Sequence, residues 1–230
     1  CENGDWHHAI SNCDPLEYVA SMFSEALPVL SAEKLLDLRV PRRAEYIRVL
    51  CWELNRIASH GLFIGWLALD LGGLTPLLYG FIERDTIVEM LAALTGQRLL
   101  FNYLRIGGVN RDLNHDFLSR LGDWMSRAAV ELEQEARLLN ENEIFVRRTK
   151  GMGVLDRDTA LRLTMTGPPL RATGVPYDVR RAHPYSVYPE FEFDIPTREE
   201  GDSYARYLLH IDEVRESIRI IDQVLHEMPD

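Results

Sequence analysis

The chain is 230 residues long and 46% hydrophobic, with 25 Lys and Arg against 36 Asp and Glu, a formal net charge of −11. That length and apolar content can fill a substantial core in one large domain or two small ones, which excludes a disordered segment and a small stapled fold. The acidity, with no basic stripe, excludes a nucleic-acid footprint, because holding phosphate needs clustered Lys and Arg.

The first 14 residues carry Gly4, His7, His8, Asn12 and Asp14 without periodicity and predict an irregular opening. From Pro15 to Leu36 the pattern turns helical. Pro41 stands where a helix takes its first residue, with Glu45 in the next turn. Ile47, Cys51, Leu54, Ile57, Ala58, Leu62 and Leu69 then recur at the spacing of an amphipathic helix about eight turns long. Between Gly61 and Leu69 apolar side chains occur all round the wheel, which predicts burial on every side. That run is about half of the ~20 residues a membrane span requires, so it predicts a buried helix. Gly72 and Gly73 stop it, Thr75 and Pro76 supply a cap and a first position, and a second helix runs from Leu77 towards Thr95, ended by Gly96.

Asn110 to Asn114 is turn-like, and Phe117, Leu121, Trp124, Met125, Ala128, Leu132 and Ala136 mark a third long helix from Phe117 to about Leu139. The region from Glu143 to Asp194 is richer in Gly, Pro and aromatics, as at Gly167-Pro168-Pro169 and Tyr185-Ser186-Val187-Tyr188. It predicts loops, short helices and short strands. Tyr204, Leu208, Ile211, Val214, Ile218, Ile221 and Leu225 make Asp202 to Met228 a closing helix. The expected fold is a mainly α long-helix bundle in a single domain over 1–230. Its parts are an irregular opening over 1–14, a helical core over 15–140, a loop-rich stretch over 141–200 and the closing helix over 201–229.

Cys1, Cys13 and Cys51 are odd in number and lack C-x-x-C spacing, so neither a disulfide framework nor a zinc or iron–sulfur cradle is expected, and a reducing compartment fits. The chain starts without Met or a signal-peptide pattern, and Cys1 opens into polar sequence, as expected of a piece cut from something longer. Asp70 is the most informative single residue, because desolvation and the helix dipole both oppose a charge at the end of an apolar helix. Either it reaches solvent or the turn amides near Gly72 and Gly73, or it is a proton-handling acid. Tyr18, near Met22 and Phe23, is either a core tyrosine or a hydroxyl that can donate to a ligand carbonyl. His60 lies opposite the Ile47/Leu54/Ala58 stripe and predicts packing against another helix or subunit, while His7-His8 reads as a solvated pair. Gly107-Gly108 lacks a strand-to-helix G-x-G-x-x-G context and reads as a turn; Glu83, Arg84 and Asp85 read as a charged helix face or ion-pair cluster. Residue chemistry alone therefore ends at a helical domain with a buried acid.

Two strings carry more. V-P-R-R-A-E-Y-I-R-V-L-x-x-E-L-x-R-I-A-S-H from Val40 to His60, and L-D-L-G-G-L-T-P-L-L-Y-G-F-I-E-R-D from Leu69, resemble the D subunit family of respiratory complex I. The similarity continues through Thr95 to Arg98, Asn102 to Val109, Leu170 to Val175 and Gly201 to Pro229, nearly the whole chain. The family is similar to the large subunit of nickel–iron hydrogenases, and the resemblance implies a mainly helical subunit that forms the quinone-reduction chamber at its contact with a small iron–sulfur subunit. By position, Tyr18 matches the tyrosine that hydrogen-bonds the quinone headgroup and Asp70 the acid linked to quinone protonation. Leu62, Trp66, Leu77 and Phe81 fall where the family lines the chamber, which an apolar ring would require. Three positions depart: Pro15 stands where an arginine is usual, Trp66 where a small hydroxylated residue is common, and Leu100 where a histidine often approaches the partner's cluster. The family's histidine-bearing N-terminal hairpin and its C-terminal portion have no counterpart within these 230 residues.

The resemblance implies the middle of a quinone-chamber subunit in a proton-translocating NADH:quinone oxidoreductase, inactive alone and redox-silent in isolation. Quinone is its substrate, and the chain itself ligates no metal or iron–sulfur cluster. Its partners are the small iron–sulfur subunit, the C subunit and the membrane subunit of the quinone site, and it sits peripherally on the cytoplasmic or matrix face of an energy-transducing membrane. Two rivals remain. A membrane-bound nickel–iron hydrogenase large subunit requires paired C-x-x-C motifs, which this span lacks. A divergent non-catalytic scaffold would account for Pro15, Trp66 and Leu100.

Overall fold

The computed structural model describes residues 3–229, so Cys1 lies outside the described residues. The opening is not irregular as expected: Asp5 caps a helix α1 over Trp6–Cys13, its carboxylate accepting from the backbone N–H of His8 at 3.0 Å. A 3-10 turn follows at Asp14–Glu17, with Pro15 in its first positions, and then α2 runs over Ser21–Leu36. The long helix α3 spans Arg42–Asp70, 29 residues. Helix α4 spans Leu74–Thr95 and starts ahead of the expected Thr75-Pro76 cap, because Gly73 in extended conformation already serves as the cap residue. Gly96 ends α4 at φ 87°, a left-handed conformation that glycine takes without strain.

Strands β1 (Leu104–Arg105) and β2 (Gly108–Val109) pair antiparallel around Ile106-Gly107, so the expected turn at Gly107 closes a minimal hairpin. No strand occurs among the described residues of 141–200, contrary to expectation. That stretch holds short helices instead: α6 (Glu143–Thr149), α7 (Arg157–Arg162), α8 (Gly167–Arg171) and α9 (Val179–Ala182). The remaining long helices are α5 (His115–Asn140) and α10 (Ser203–Glu227). Asn114 caps α5 by accepting from Phe117 N–H at 2.8 Å, and Asp202 caps α10 by accepting from Ala205 N–H at 2.7 Å.

Helix α3 packs against α4 on one side and α10 on another, while α5 packs against both α4 and α10, so the four long helices close a bundle. Glycines set the α3–α4 approach: a Cβ on Gly80 would stand 2.5 Å from the Gly61 carbonyl oxygen. Trp52, Trp124, Tyr103, Tyr188, Tyr207 and Phe117 are the largest fully buried aromatics of the core.

Charged groups are buried with their partners. Arg48 of α3 reaches Glu33 of α2 at 2.5 Å and the carbonyls of Arg105 and Gly108 at 2.9 Å, which ties the hairpin to the bundle. Glu53 accepts from Arg56 at 3.2 Å, from Arg180 at 3.1 Å and from Tyr188 and Ser217, each at 2.6 Å; against desolvation, the Arg56 and Arg180 guanidiniums and then the two hydroxyls hold its carboxyl down at about 2.

Candidate functional site

Helix periodicity puts Leu62, Trp66 and Asp70 on one stripe of α3, at i, i+4 and i+8. The stripe is not buried. Trp66 is 48% exposed, Leu62 is half-buried, and Asp70, the last residue of α3, is exposed. This corrects the expectation of burial on every side between Gly61 and Leu69 and of a carboxyl sunk in an oily interior. The reason is geometric: α4 covers the Gly61/Gly65 face and α10 covers the His60 side, leaving a third face that no described element covers. In this chain alone the Asp70 carboxylate reaches solvent. Leu71 and Gly72 close the helix end instead, the N–H of Gly72 donating to Leu69 O at 2.8 Å and that of Gly73 to Ala68 O at 2.8 Å.

The α4 residues continue this face. Phe81 is 40% exposed and stands edge-on to Trp66 with ring centroids 6.4 Å apart, and Leu77 is buried beneath, its Cα 3.0 Å from where a Cβ on Gly65 would stand. Leu74 and Leu78 add further exposed apolar surface, so the α3–α4 hairpin presents a contiguous oily face with a carboxylate at its end.

Tyr18 sits elsewhere. It follows the 3-10 turn, is 63% exposed, and its neighbours on α2 meet α3 near residues 52–56: the Trp52 indole N–H donates to Met22 O at 3.1 Å, and the Arg56 guanidinium lies 5.1 Å from the Phe23 ring centre. Asp70 lies fourteen residues beyond Arg56, roughly 21 Å along the helix axis. Among the described residues no hydrogen bond or ring contact joins Tyr18 to Asp70. Tyr18 is therefore no core tyrosine; its hydroxyl is on the surface. Pro15 is exposed and Leu100 half-buried.

His60 packs against another helix, as expected: its Nε2 is 2.8 Å from Glu213 of α10 and its ring is edge-on to His210 at 4.7 Å. Glu213 also accepts from Arg171 at 2.5 Å, and the His60 and Arg171 partners pull its carboxyl far below the usual range despite burial. Desolvation pushes the His210 imidazole down to about 3. The Glu83–Asp85 segment divides: Asp85 pairs with Arg98 at 2.6 Å on the surface, while Glu83 turns inward and accepts from Trp124 Nε1–H at 2.6 Å. His8 leans on Asp5 in the solvent. Among the described residues no group of three or more His, Cys, Asp or Glu could hold a metal ion, and no helix is long and apolar enough to cross a membrane.

A cavity of about 400 Å³ opens to solvent between α3, α4, α5 and α10, and none of Tyr18, Leu62, Trp66, Asp70, Leu77 or Phe81 lines it. Sequence reasoning missed it together with Glu135, a carboxyl on its wall, because Glu135 sits in a charge-rich helix and reads as solvated. The only signal available was its place one residue before Ala136, beside the apolar seam.

Comparison with known proteins gives the chain its relatives. The family described as "Respiratory-chain NADH dehydrogenase, 49 Kd subunit" matches residues 70–230. The D subunit of NADH-quinone oxidoreductase from Chlorobium luteolum is 44% identical over the whole of this chain and 59% of its own length. The D 1 subunit of NADH-quinone oxidoreductase from a Roseiflexus species is 46% identical over 94% of this chain and 58% of its own. The H subunit of NAD(P)H-quinone oxidoreductase from the Paulinella chromatophora organellar chromatophore is 46% identical over 93% of this chain and 53% of its own. The chain thus spans between about half and three fifths of these relatives. With the match covering most of its length, the chain belongs to the family of the respiratory-chain NADH dehydrogenase 49 Kd subunit, the D subunit of NADH-quinone oxidoreductase.

Proposed function

We propose that this chain supplies one wall of the chamber in which a proton-translocating NADH:quinone oxidoreductase reduces quinone. The observation that carries the reading is the uncovered α3–α4 face: Leu62, Trp66 and Phe81 make an apolar surface suited to a prenylated ring, and it ends at the carboxylate of Asp70. Quinone reduction takes two electrons and two protons. The electrons come from an iron–sulfur cluster of the small partner subunit, and this chain's residues bind the ring and handle protons. Tyr18 donates its hydroxyl hydrogen bond to the headgroup carbonyl. Asp70, exposed in this chain and enclosed when partner subunits close the chamber, relays a proton or pairs with a histidine outside these 230 residues. The C subunit and the membrane subunit of the quinone site complete the enclosure, the complex holds the chain peripherally at the cytoplasmic or matrix face of the membrane, and the chain is not active alone.

The test uses the assembled complex carrying Tyr18→Phe or Asp70→Asn, with NADH:quinone turnover measured beside NADH oxidation by a soluble acceptor that bypasses the chamber. A lost hydrogen bond to a carbonyl costs about 0.5–1.5 kcal/mol, so Tyr18→Phe should lower quinone turnover by roughly three- to tenfold. Loss of a proton donor should make Asp70→Asn the more severe, on the order of a hundredfold. Both should leave the bypass reaction intact. Unchanged quinone turnover in Tyr18→Phe would favour the scaffold reading.

A further inference from the structure

The bundle cavity has the volume of a small-ligand site, about 400 Å³. Its wall is largely aliphatic, with Ile57 and Ile64 from α3, Leu132 from α5, and Val214 and Ile218 from α10. Five charged side chains also reach it, and four are engaged. Arg127 pairs with Glu131 at 3.0 Å and Arg137 lies 3.8 Å from Glu141, in exposed positions at the mouth. Glu83 accepts from the Trp124 indole. Glu135 is the exception: the residue is 9% exposed, and its Oε1 is shut from solvent with no hydrogen-bond partner. A buried acceptor left without a donor is costly, and the nearby cations are committed to other acids. Gly80 packs close beside it: a Cβ there would stand 3.7 Å from Glu135 Oε1 and 2.5 Å from the Gly61 carbonyl oxygen.

We propose that this cavity is a binding site for a compact organic cation, an apolar body bearing one protonated amine, with the Glu135 carboxylate as its counter-charge. The ammonium supplies the counter-charge that the Glu135 carboxylate lacks and can donate to it, and the aliphatic wall covers the body. A neutral alcohol of the same shape supplies the donor alone. An organic acid meets Glu83, Glu131 and Glu135 together and is repelled. The site shares no residue with Tyr18, Asp70 or the α3–α4 face, so it stands or falls apart from the quinone reading.

Binding is also linked to protons. Burial and the neighbouring Glu83 raise the Glu135 carboxyl to about 7. The titratable and charged groups facing it are Glu83 and Tyr79 from α4, Glu131, Arg127 and Arg137 from α5, and Tyr207 from α10, whose hydroxyl donates to Ala136 O; α3 presents only uncharged residues to the cavity. Because the cation needs the ionised form, its affinity rises about tenfold between pH 6 and pH 8, and binding at pH 7 releases roughly half a proton.

Titration calorimetry on the full-length protein tests this with phenylbutylammonium, phenylbutanol and phenylbutyrate as probes. The expected result is that the ammonium binds at least tenfold more tightly than the alcohol at pH 8 while the acid does not bind. Glu135→Gln should cost the ammonium at least tenfold and leave the alcohol within about twofold. Repeating the wild-type titration at pH 7 in buffers of different ionisation enthalpy gives the proton release without any variant. Equal affinity for ammonium and alcohol, an unaffected Glu135→Gln, no proton release, or no binding because another segment of the full-length protein fills the cavity would each overturn the proposal.

Discussion

Replacing Gly80 by alanine should pry α3 from α4, and its cost can be worked from the geometry. The added methyl would stand 2.5 Å from the Gly61 carbonyl oxygen and 3.2 Å from its carbon. Both obstacles are backbone, so no rotamer change relieves them, and the helices must separate by roughly 1 Å to restore ordinary contact. That movement also loosens the neighbouring approach, where Leu77 Cα lies 3.0 Å from a Cβ position on Gly65. Overpacking of this kind costs about 1–3 kcal/mol, against which the better helix propensity of alanine returns about 1 kcal/mol. Gly80→Ala should therefore destabilise by up to about 2 kcal/mol. Two controls share the chemistry but not the obstacle. A Cβ on Gly61 meets Gly80 O at an ordinary 3.7 Å, and one on Gly122 of α5 meets nothing within 4 Å. Gly61→Ala should be near neutral, and Gly122→Ala should stabilise by up to about 1 kcal/mol. Urea denaturation followed by far-ultraviolet circular dichroism, with midpoints compared at equal slope, measures all three. If Gly80→Ala and Gly122→Ala shift stability alike, the α3–α4 approach is not set by glycine and the reasoning is refuted.

Three further outcomes follow from the buried groups and the open face. His210 is held near 3, below its ordinary 6.5, so the unfolded chain binds its proton first as pH falls; the stability it contributes is complete above pH 6.5 and declines below, by about 2 kcal/mol between pH 7 and pH 5. His210→Phe should flatten that part of the stability–pH profile, and a profile of unchanged slope would exclude His210 as its source. Glu53→Gln takes the carboxylate from Arg56 and leaves Arg180 with Asp178 alone, and should destabilise by about 3 kcal/mol, read as a shift in urea midpoint; a shift below about 1 kcal/mol would mean water reaches the network. Trp66→Ser, on a half-exposed position, should change stability by less than about 1 kcal/mol while raising KM for quinone in the assembled complex. An unaltered KM would remove Trp66 from the chamber wall.

The long helices were legible because each buries one face along a repeat near 3.6, and the caps at Asn114 and Asp202 are the residue types that satisfy free N–H groups. The opening helix was missed because its start rests on the Asp5 cap rather than on an apolar stripe, and only Ile10 of it is buried. The buried ion networks were not legible at all: Glu53 meets Arg180 and Ser217 across 127 and 164 residues of sequence, a pairing that only the closed bundle creates. Asp70 failed in the opposite sense. Apolar residues all round a wheel say that every side of a helix is oily, not that every side is covered.

That failure is itself informative about α3. Its faces towards α4 and α10 are fitted, one by glycines at 61 and 65 and the other by the His60–Glu213 contact, so the surplus of apolar residues beyond those faces is not needed to hold this bundle together. Leu62 and Trp66, with Phe81 across from them, expose oily surface that carries a standing cost in water unless something else covers it. In the quinone reading the cover is partner subunits and substrate, and only then does the end of the stripe become the low-dielectric place in which a carboxylate's proton is worth controlling. Assembly should accordingly close this face: hydroxyl-radical footprinting should label the exposed Trp66 and Phe81 in the isolated chain and lose that labelling in the assembled complex. Labelling unchanged by assembly would show that the face stays open to water in the complex, and the proton-relay role of Asp70 would lose its physical basis.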